Sequence, residues 1–325
     1  MTAFPKSVLP VSSAWTQVDD YGYPQSWGGA ANAEERALGY CRRLERGSIL
    51  FFPDIPFDFP REDREFLISQ KQAQSRFHKN ISYRPKSDTL RGASKESAAD
   101  NARLHDIMHR YSANVTVFLA DFLRPYAGKF VLDFASFRPL EEQGRNLPTH
   151  RRNDLLHVDS FPTRPTQGAR ILRIFNNINP SEPRIWLTGE PFHQLAPRYA
   201  RDAGLLRYAS QAQSALFRAR RGAASVLKKL GAPVGAHSAY DLFMLHFHDW
   251  LKLNEEFQNH PEGAVRSDFP PGCTWMVFTD GVPHAALSGQ YALEHTYILP
   301  RAALAAPEVA PISVLEQLSG VALAS

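Results

Sequence analysis

Apolar and polar positions alternate with helical spacing through much of the first 125 residues. Ala33–Arg46 reads as a helix stopped at Gly47, and Ser48–Phe52 (SILFF) as a short apolar run broken by Pro53, Pro56 and Pro60. Pro60 opens REDREFLISQKQAQSRF, with acids early and bases late, the charge order that suits a helix dipole. Ser97–Leu123 is the longest helical pattern; Leu104, Ile107, Met108, Tyr111, Val115, Phe118 and Leu119 share one face.

The texture changes after Pro125. Phe130–Arg138, Asp154–Phe161, Ala169–Ile178 and Arg184–Thr188 read as strands bounded by Pro, Gly or Asn. Residues 190–265 return to helix and loop, and Thr274–Thr279 and Tyr291–Leu299 are strands again. Strands, one helical interruption and more strands predict an α+β protein with a double-stranded β-helix (jelly-roll, cupin-like) core. The expected division is a helix-rich N-terminal flank over 1–125, packed on a catalytic core over 126–310. That core carries a helical insertion near 190–265, and a C-terminal tail covers 311–325.

Composition narrows the class. Of 325 residues, 43% are hydrophobic and 22% charged, which excludes disordered and fibrous proteins. The net charge of +4 is too weak a signal for nucleic-acid binding. Cys41 and Cys273 form neither a CxxC motif nor a disulfide framework, as expected in a reducing compartment. With no secretory h-region and no apolar run of about 18–20 residues, the expected location is cytoplasmic. The insertion has no Asp or Glu between Asp202 and Asp241 but contains Arg207, Arg218, Arg220, Arg221, Lys228 and Lys229, beside Phe217, Leu227 and Leu230. This is either a solvated basic helix or a surface that meets anionic lipid at the inner membrane face.

Candidate chemistry comes from the histidines. His157-Val158-Asp159 is the only His-x-Asp, and positions i and i+2 of a strand present both side chains to one ion. A 2-His-1-carboxylate site needs one more His from elsewhere, and His284 follows TWMVFT through the turn DGVP. His246 and His248 fall in a helical pattern, where i and i+2 diverge, and read as core or surface residues. Nitrogen and carboxylate ligands without a thiolate suit non-haem Fe(II), with Zn as the alternative. Fe(II) oxygenases of this type bind 2-oxoglutarate, whose distal carboxylate calls for an arginine. The usual place, about ten residues past the second His, has no base before Arg301. Arg170 and Arg173, on opposite faces of the strand after His-x-Asp, are the first and second choices. GxSxG, Walker A and GxGxxG motifs are absent.

HVDSFPTRPTQGARILRIFNNINPSEPRIWLTGEPF, with FPPGCTWMVFTDGVPHAALSGQYALEHTYILP, resembles the Kdo hydroxylase family, bacterial Fe(II)/2-oxoglutarate dioxygenases. The resemblance covers most of the chain and is strongest from about 150 to 300. It implies that His157, Asp159 and His284 are the iron ligands. The implied reaction uses O2 to hydroxylate C3 of a 3-deoxy-D-manno-oct-2-ulosonic acid (Kdo) sugar on a lipid A precursor. The products are Ko, succinate and CO2. Such a substrate carries carboxylate and phosphate, so Arg145, Arg151, Arg152 and Arg164, which flank His-x-Asp, are candidate substrate contacts. A related dioxygenase on another substrate, a Zn-dependent cupin-like hydrolase and a non-catalytic sugar- or lipid-binding jelly roll remain as alternatives.

Overall fold

The computed structural model describes residues 15–24, 26–72, 80–94, 97–145, 147–229 and 236–324. Its N-terminal part runs β1 (Trp15–Gln17), α1 (Ala33–Glu45), β2 (Ile49–Phe52), α2 (Arg61–Ser69), β3 (Ile81–Arg84), β4 (Thr89–Arg91) and α3 (Ala98–Phe122). Ser97 caps α3 by accepting from the Asp100 amide. Next come β5 (Val131–Arg138), β6 (Arg170–Asn177) and β7 (Arg184–Thr188). The insertion folds as α4 (Phe192–Tyr199), α5 (Leu205–Gln213), α6 (Ala215–Lys229), α7 (Ala239–Leu253) and α8 (Glu255–Asn259). β8 (Val265–Phe269), β9 (Thr274–Phe278), β10 (His284–Ser288), β11 (Ala292–Leu299) and α9 (Pro311–Ser319) complete the described elements.

Two sheets face each other, as the sequence pattern predicts for a jelly roll. The larger has the order β1-β2-β9-β6-β11-β5-β3-β4, and the smaller β10-β7-β8. The outer face of the large sheet carries Leu172, Ile174, Met276, Phe278, Leu293 and Tyr297, packed on the apolar stripe of α3 and on α1. Between the sheets lie Phe175, Trp186, Phe269, Trp275 and Val277. A third cluster joins α4, α5 and α7 to α9 through Phe192, Leu205, Phe243, Phe247 and Leu315.

Two expectations change. The helix-rich first 125 residues also carry strands, because β1 to β4 extend the large sheet at both edges. These strands have three or four residues each, too few for a period-2 pattern to register. Asp154–Phe161 is not a ladder strand either. His157 exchanges backbone hydrogen bonds with His284 at 3.2 and 2.9 Å, and two residues later the Asp159 amide donates to the Thr279 carbonyl at 2.9 Å. The segment thus crosses between both ends of the β9–β10 connection, which sets its two polar side chains beside His284.

Candidate metal centre

Alternation along the strands decides what faces the space between the sheets. Phe134, Ser136 and Arg138 of β5, Arg173 and Phe175 of β6, Arg184 and Trp186 of β7, His284 and Ala286 of β10, and Glu294 and Thr296 of β11 all line one cavity of about 940 Å³. His157 and Asp159 reach the same cavity from the crossing loop.

His157, Asp159 and His284 bring three potential ligand atoms within 4.8 Å of one another, all buried. The Nδ1 atoms of His157 and His284 lie 2.7 and 3.0 Å from the carbonyls of Leu155 and Val282. A carbonyl can only accept, so each Nδ1 carries the proton and each Nε2 is left as a lone-pair donor. Both Nε2 atoms stand 4.0 Å from an Asp159 oxygen. Trp186 stacks on the His284 ring at 5.2 Å and fixes its plane.

The protonation states suit a metal. Burial, with His284 and His248 nearby, pushes the His157 imidazole well below its ordinary value, and burial also lowers His284. Burial alone would raise the Asp159 carboxyl, but Arg173, His284 and His157 outweigh it and hold it far below the carboxylate range. At neutral pH the trio is therefore already two neutral imidazoles and one carboxylate, and a metal need displace no proton. Asp159 Oδ2 is buried and lies 3.2 Å from Arg173 Nη1 but accepts no well-aligned hydrogen bond, which leaves it lone-pair capacity for a metal ion. The donor set, two nitrogens and one oxygen, fits Fe(II).

The two arginines of the strand after His-x-Asp part company. Arg173 enters the cavity, its Nη1 3.2 Å from Asp159 and 3.6 Å from Glu294. Arg170, the first choice from sequence, does not line the cavity. It points to the opposite face of β6, where its Nε donates to Asp280 at 2.8 Å and its guanidinium lies 4.3 Å over the Phe278 ring. Gly281 fits there because a β-carbon would run into the Arg170 guanidinium. Alternation correctly separates the two residues, but β6 is buried on both faces, so it does not reveal which face holds the site.

Other predicted contacts divide similarly. Arg164 and Arg151 line the cavity, whereas Arg145 and Arg152 do not. Arg145 turns to Glu142 at 3.3 Å, and Arg152 makes a two-pronged contact with Asp154 at 2.9 and 2.6 Å. His295, on the far face of β11, bonds Ser112 of α3 at 2.7 Å, and burial pushes its imidazole down to about 3.

Sequence reasoning missed a buried charge network and a helix face. Arg138 grips Glu294 through Nε and Nη2 at 3.0 and 2.8 Å, while Arg184 reaches Glu142 at 3.1 Å. Burial would raise the Glu142 carboxyl, yet Arg138 and Arg184 bring it down to about 2. Glu294 stands ten residues past His284, and the neighbouring strand β5 sets Arg138 beside it. His248 and Lys252, one turn apart on α7, both face the cavity. His248 Nδ1 lies 2.7 Å from the Val158 carbonyl, and its ring meets His157 edge-on at 4.8 Å. Burial lowers the Lys252 ammonium to about 8. The i, i+4 spacing of these two was the only signal in sequence for their shared direction.

A sequence profile described as 3-deoxy-D-manno-oct-2-ulosonic acid (Kdo) hydroxylase matches residues 27–322. The chain belongs to the Kdo hydroxylase family. It is similar to the apo structure of the Kdo hydroxylase KdoO, a non-heme Fe(II) alpha-ketoglutarate dependent dioxygenase. The two are 34% identical over 95% of this chain and 97% of that one, with a TM-score of 0.77. KdoO with cobalt(II) gives a TM-score of 0.78 at 34% identity, covering 96% of this chain and 98% of that one. KdoO with alpha-ketoglutarate and Fe(III) gives 0.75 at 34% identity, covering 95% and 96%. No curated protein matches the chain. Kdo hydroxylase membership agrees with the jelly-roll core and with the His-Asp-His trio at its centre.

Proposed function

We propose that this chain is an Fe(II)/2-oxoglutarate dioxygenase that hydroxylates C3 of a Kdo sugar on a lipid A precursor, giving Ko with succinate and CO2. The observation that carries the reading is the buried His157, Asp159 and His284 trio in a cavity walled by guanidiniums, in a member of this family. His157 and His284 through Nε2, and Asp159 through its carboxylate, are the proposed iron ligands. With 2-oxoglutarate and O2, the iron supplies the oxidising power to replace an unactivated C–H by C–OH.

The protein's part is geometry and charge. Arg138, Arg145, Arg173 and Arg184 share the three carboxylates of Glu142, Glu294 and Asp159. That leaves a positive excess, and the excess grows when a metal takes up the Asp159 charge. We assign the distal carboxylate of 2-oxoglutarate to the guanidiniums around Glu294, namely Arg138 and the sequence candidate Arg173. Arg170, already paired with Asp280 on the other side of the sheet, is withdrawn from that role.

Anaerobic titration with Fe(II) and 2-oxoglutarate tests both assignments through the visible charge-transfer band of the chelate. The band should form in the wild-type protein and vanish in His284→Ala. In Arg138→Met, the 2-oxoglutarate needed for half the band should rise roughly 10- to 100-fold, the worth of one or two charge-assisted hydrogen bonds. An unchanged titration in Arg138→Met would remove that residue from the site. Metal binding without any band would favour a zinc hydrolase.

A lipid-linked substrate also suits the basic helix. Among the described residues no helix is long and apolar enough to cross a membrane. Yet α6 exposes Leu216, Val226 and Leu227 beside the exposed Arg218 and Arg220. Arg221 is hydrogen-bonded to Gln167 instead, and the side chains of Lys228 and Lys229, with Leu230, lie outside the described residues. The reading is an interfacial helix on an anionic membrane face. The protein should sediment with phosphatidylglycerol vesicles at low salt and release above about 0.15 M, where charges are screened beyond ~8 Å. Arg218→Gln/Arg220→Gln should abolish the binding, and no binding at low salt would leave α6 a solvated helix.

A further inference from the structure

The mouth of the cavity gathers positive charge that neither iron nor 2-oxoglutarate accounts for. Arg84, at the end of β3, and Arg164, in the loop after Asp159, set their guanidiniums 4.8 and 4.1 Å from the ring of one residue, Phe134. Arg164 also lies 4.2 Å from Phe161, so phenyl rings flank it on two sides. Stacking of this kind fixes a guanidinium plane and leaves its N–H edge for an in-plane partner, the geometry that carboxylates accept.

The partner is not supplied in full by the protein. Among the described residues, Asp133 is the carboxylate that serves both arginines. It is ion-paired with Arg164 and acts on Arg84 only as an opposing charge that ranks below the like charges of Arg91 and Arg164. Arg84 Nε is buried without a hydrogen-bond partner. The loop carrying Arg164 is firmly held. The amides of Thr166 and Gln167 donate to Asp241 Oδ1 at 2.9 and 3.0 Å, and Asp241 belongs to the capping box that starts α7. A continuous series of contacts links this rim to the metal trio. Arg173 is 3.2 Å from Asp159 and 5.6 Å from the Phe161 ring, against whose face Arg164 stacks.

Resting on the dioxygenase reading above, we propose that Arg84 and Arg164 form a separate anion-binding rim that takes the carboxylate of the substrate sugar acid. Holding the acid group there directs the sugar ring inward, toward Arg173 and the metal ligands. The rim selects a sugar acid over a neutral sugar, while the deeper guanidiniums around Glu294 serve the cosubstrate.

The test uses the Fe(II)-loaded protein with 2-oxoglutarate and a Kdo-bearing acceptor. Arg84→Gln and Arg164→Gln should each raise KM for the acceptor roughly 10- to 100-fold, as expected for a lost charge-assisted contact, with kcat and the Fe(II)/2-oxoglutarate band little changed. Arg84→Lys should recover part of the loss. Free Kdo should compete with the acceptor, whereas its C1 methyl ester and inorganic phosphate should not. A wild-type KM in the double variant would overturn the proposal, and so would equal competition by the ester. Phosphate competing as well as free Kdo would assign the rim to a lipid phosphate and overturn the carboxylate. Absence of the band in the wild-type protein would instead defeat the dioxygenase reading. Calorimetric binding of free Kdo, lost or kept in the double variant, then still decides the rim.

Discussion

Asp159→Ala should strip the protein of iron while leaving it folded. Asp159 supplies the sole negative charge among the three proposed ligands, and the remaining imidazoles are neutral. Its loss would also leave Arg173 facing the metal position with only Glu294, at 3.6 Å, to offset its charge. A divalent cation would then meet two neutral donors and a nearby guanidinium. Loss of a supporting residue around a metal site typically costs about 10- to 100-fold in affinity, and loss of a charged ligand should cost at least that. The fold should survive because Arg173 keeps Glu294 and the crossing loop keeps its backbone bonds to His284 and Thr279. Metal analysis after anaerobic loading checks the first part. Thermal unfolding with and without metal checks the second, since saturating a site 100-fold above its Kd stabilises by about 2.7 kcal/mol. That increment should appear in the wild-type protein and be missing from the variant. Stoichiometric iron in Asp159→Ala would sink the ligand assignment.

Arg170→Ala should instead damage the fold, by about 3–5 kcal/mol, the usual result of leaving one member of a buried ion pair uncompensated. Arg170 and Asp280 are 1% and 2% exposed, and burial raises the Asp280 carboxyl even with Arg170 beside it. The pair fastens the start of the DGVP turn, whose last residue precedes His284. Arg170 is thus a positioning residue for that side of the metal centre. Two measurements separate this role from cosubstrate binding. In a double-mutant cycle, Arg170→Met/Asp280→Leu should be less destabilising than either single change, because no charge is left stranded. In the folded fraction of Arg170→Ala, the 2-oxoglutarate dependence of the Fe(II) band should stay within a few-fold of wild type. A selective loss of 2-oxoglutarate binding at normal stability would return Arg170 to the cosubstrate site.

Much of this protein is legible in its sequence wherever the physics is local. Helix α3 is announced by its apolar stripe and by Ser97, and β7 by a clean run between Pro183 and Gly189. His-x-Asp, a strand, a turn and a second His are enough to name the trio that the structure gathers, although His157 and Asp159 are set by a crossing segment bonded to His284 and Thr279 and not by a ladder strand. Strands β1, β3 and β4 were not legible, since three or four residues carry no period and pair only because a sheet edge is offered to them.

The tertiary structure alone decided which charges share the cavity. Alternation sorts Arg170 from Arg173, but both faces of a central strand are buried, and only the layer packed on each face says which is the barrel interior. Arg184 comes from β7 to meet Glu142, which lies only four residues past Arg138, and Arg84 meets Arg164 through a β3–β5 pairing that no local pattern encodes. Local propensity and periodicity therefore determined most of the elements and singled out the metal trio. The pairing of distant strands, driven by burial of both faces of the large sheet, determined where its counter-charges stand.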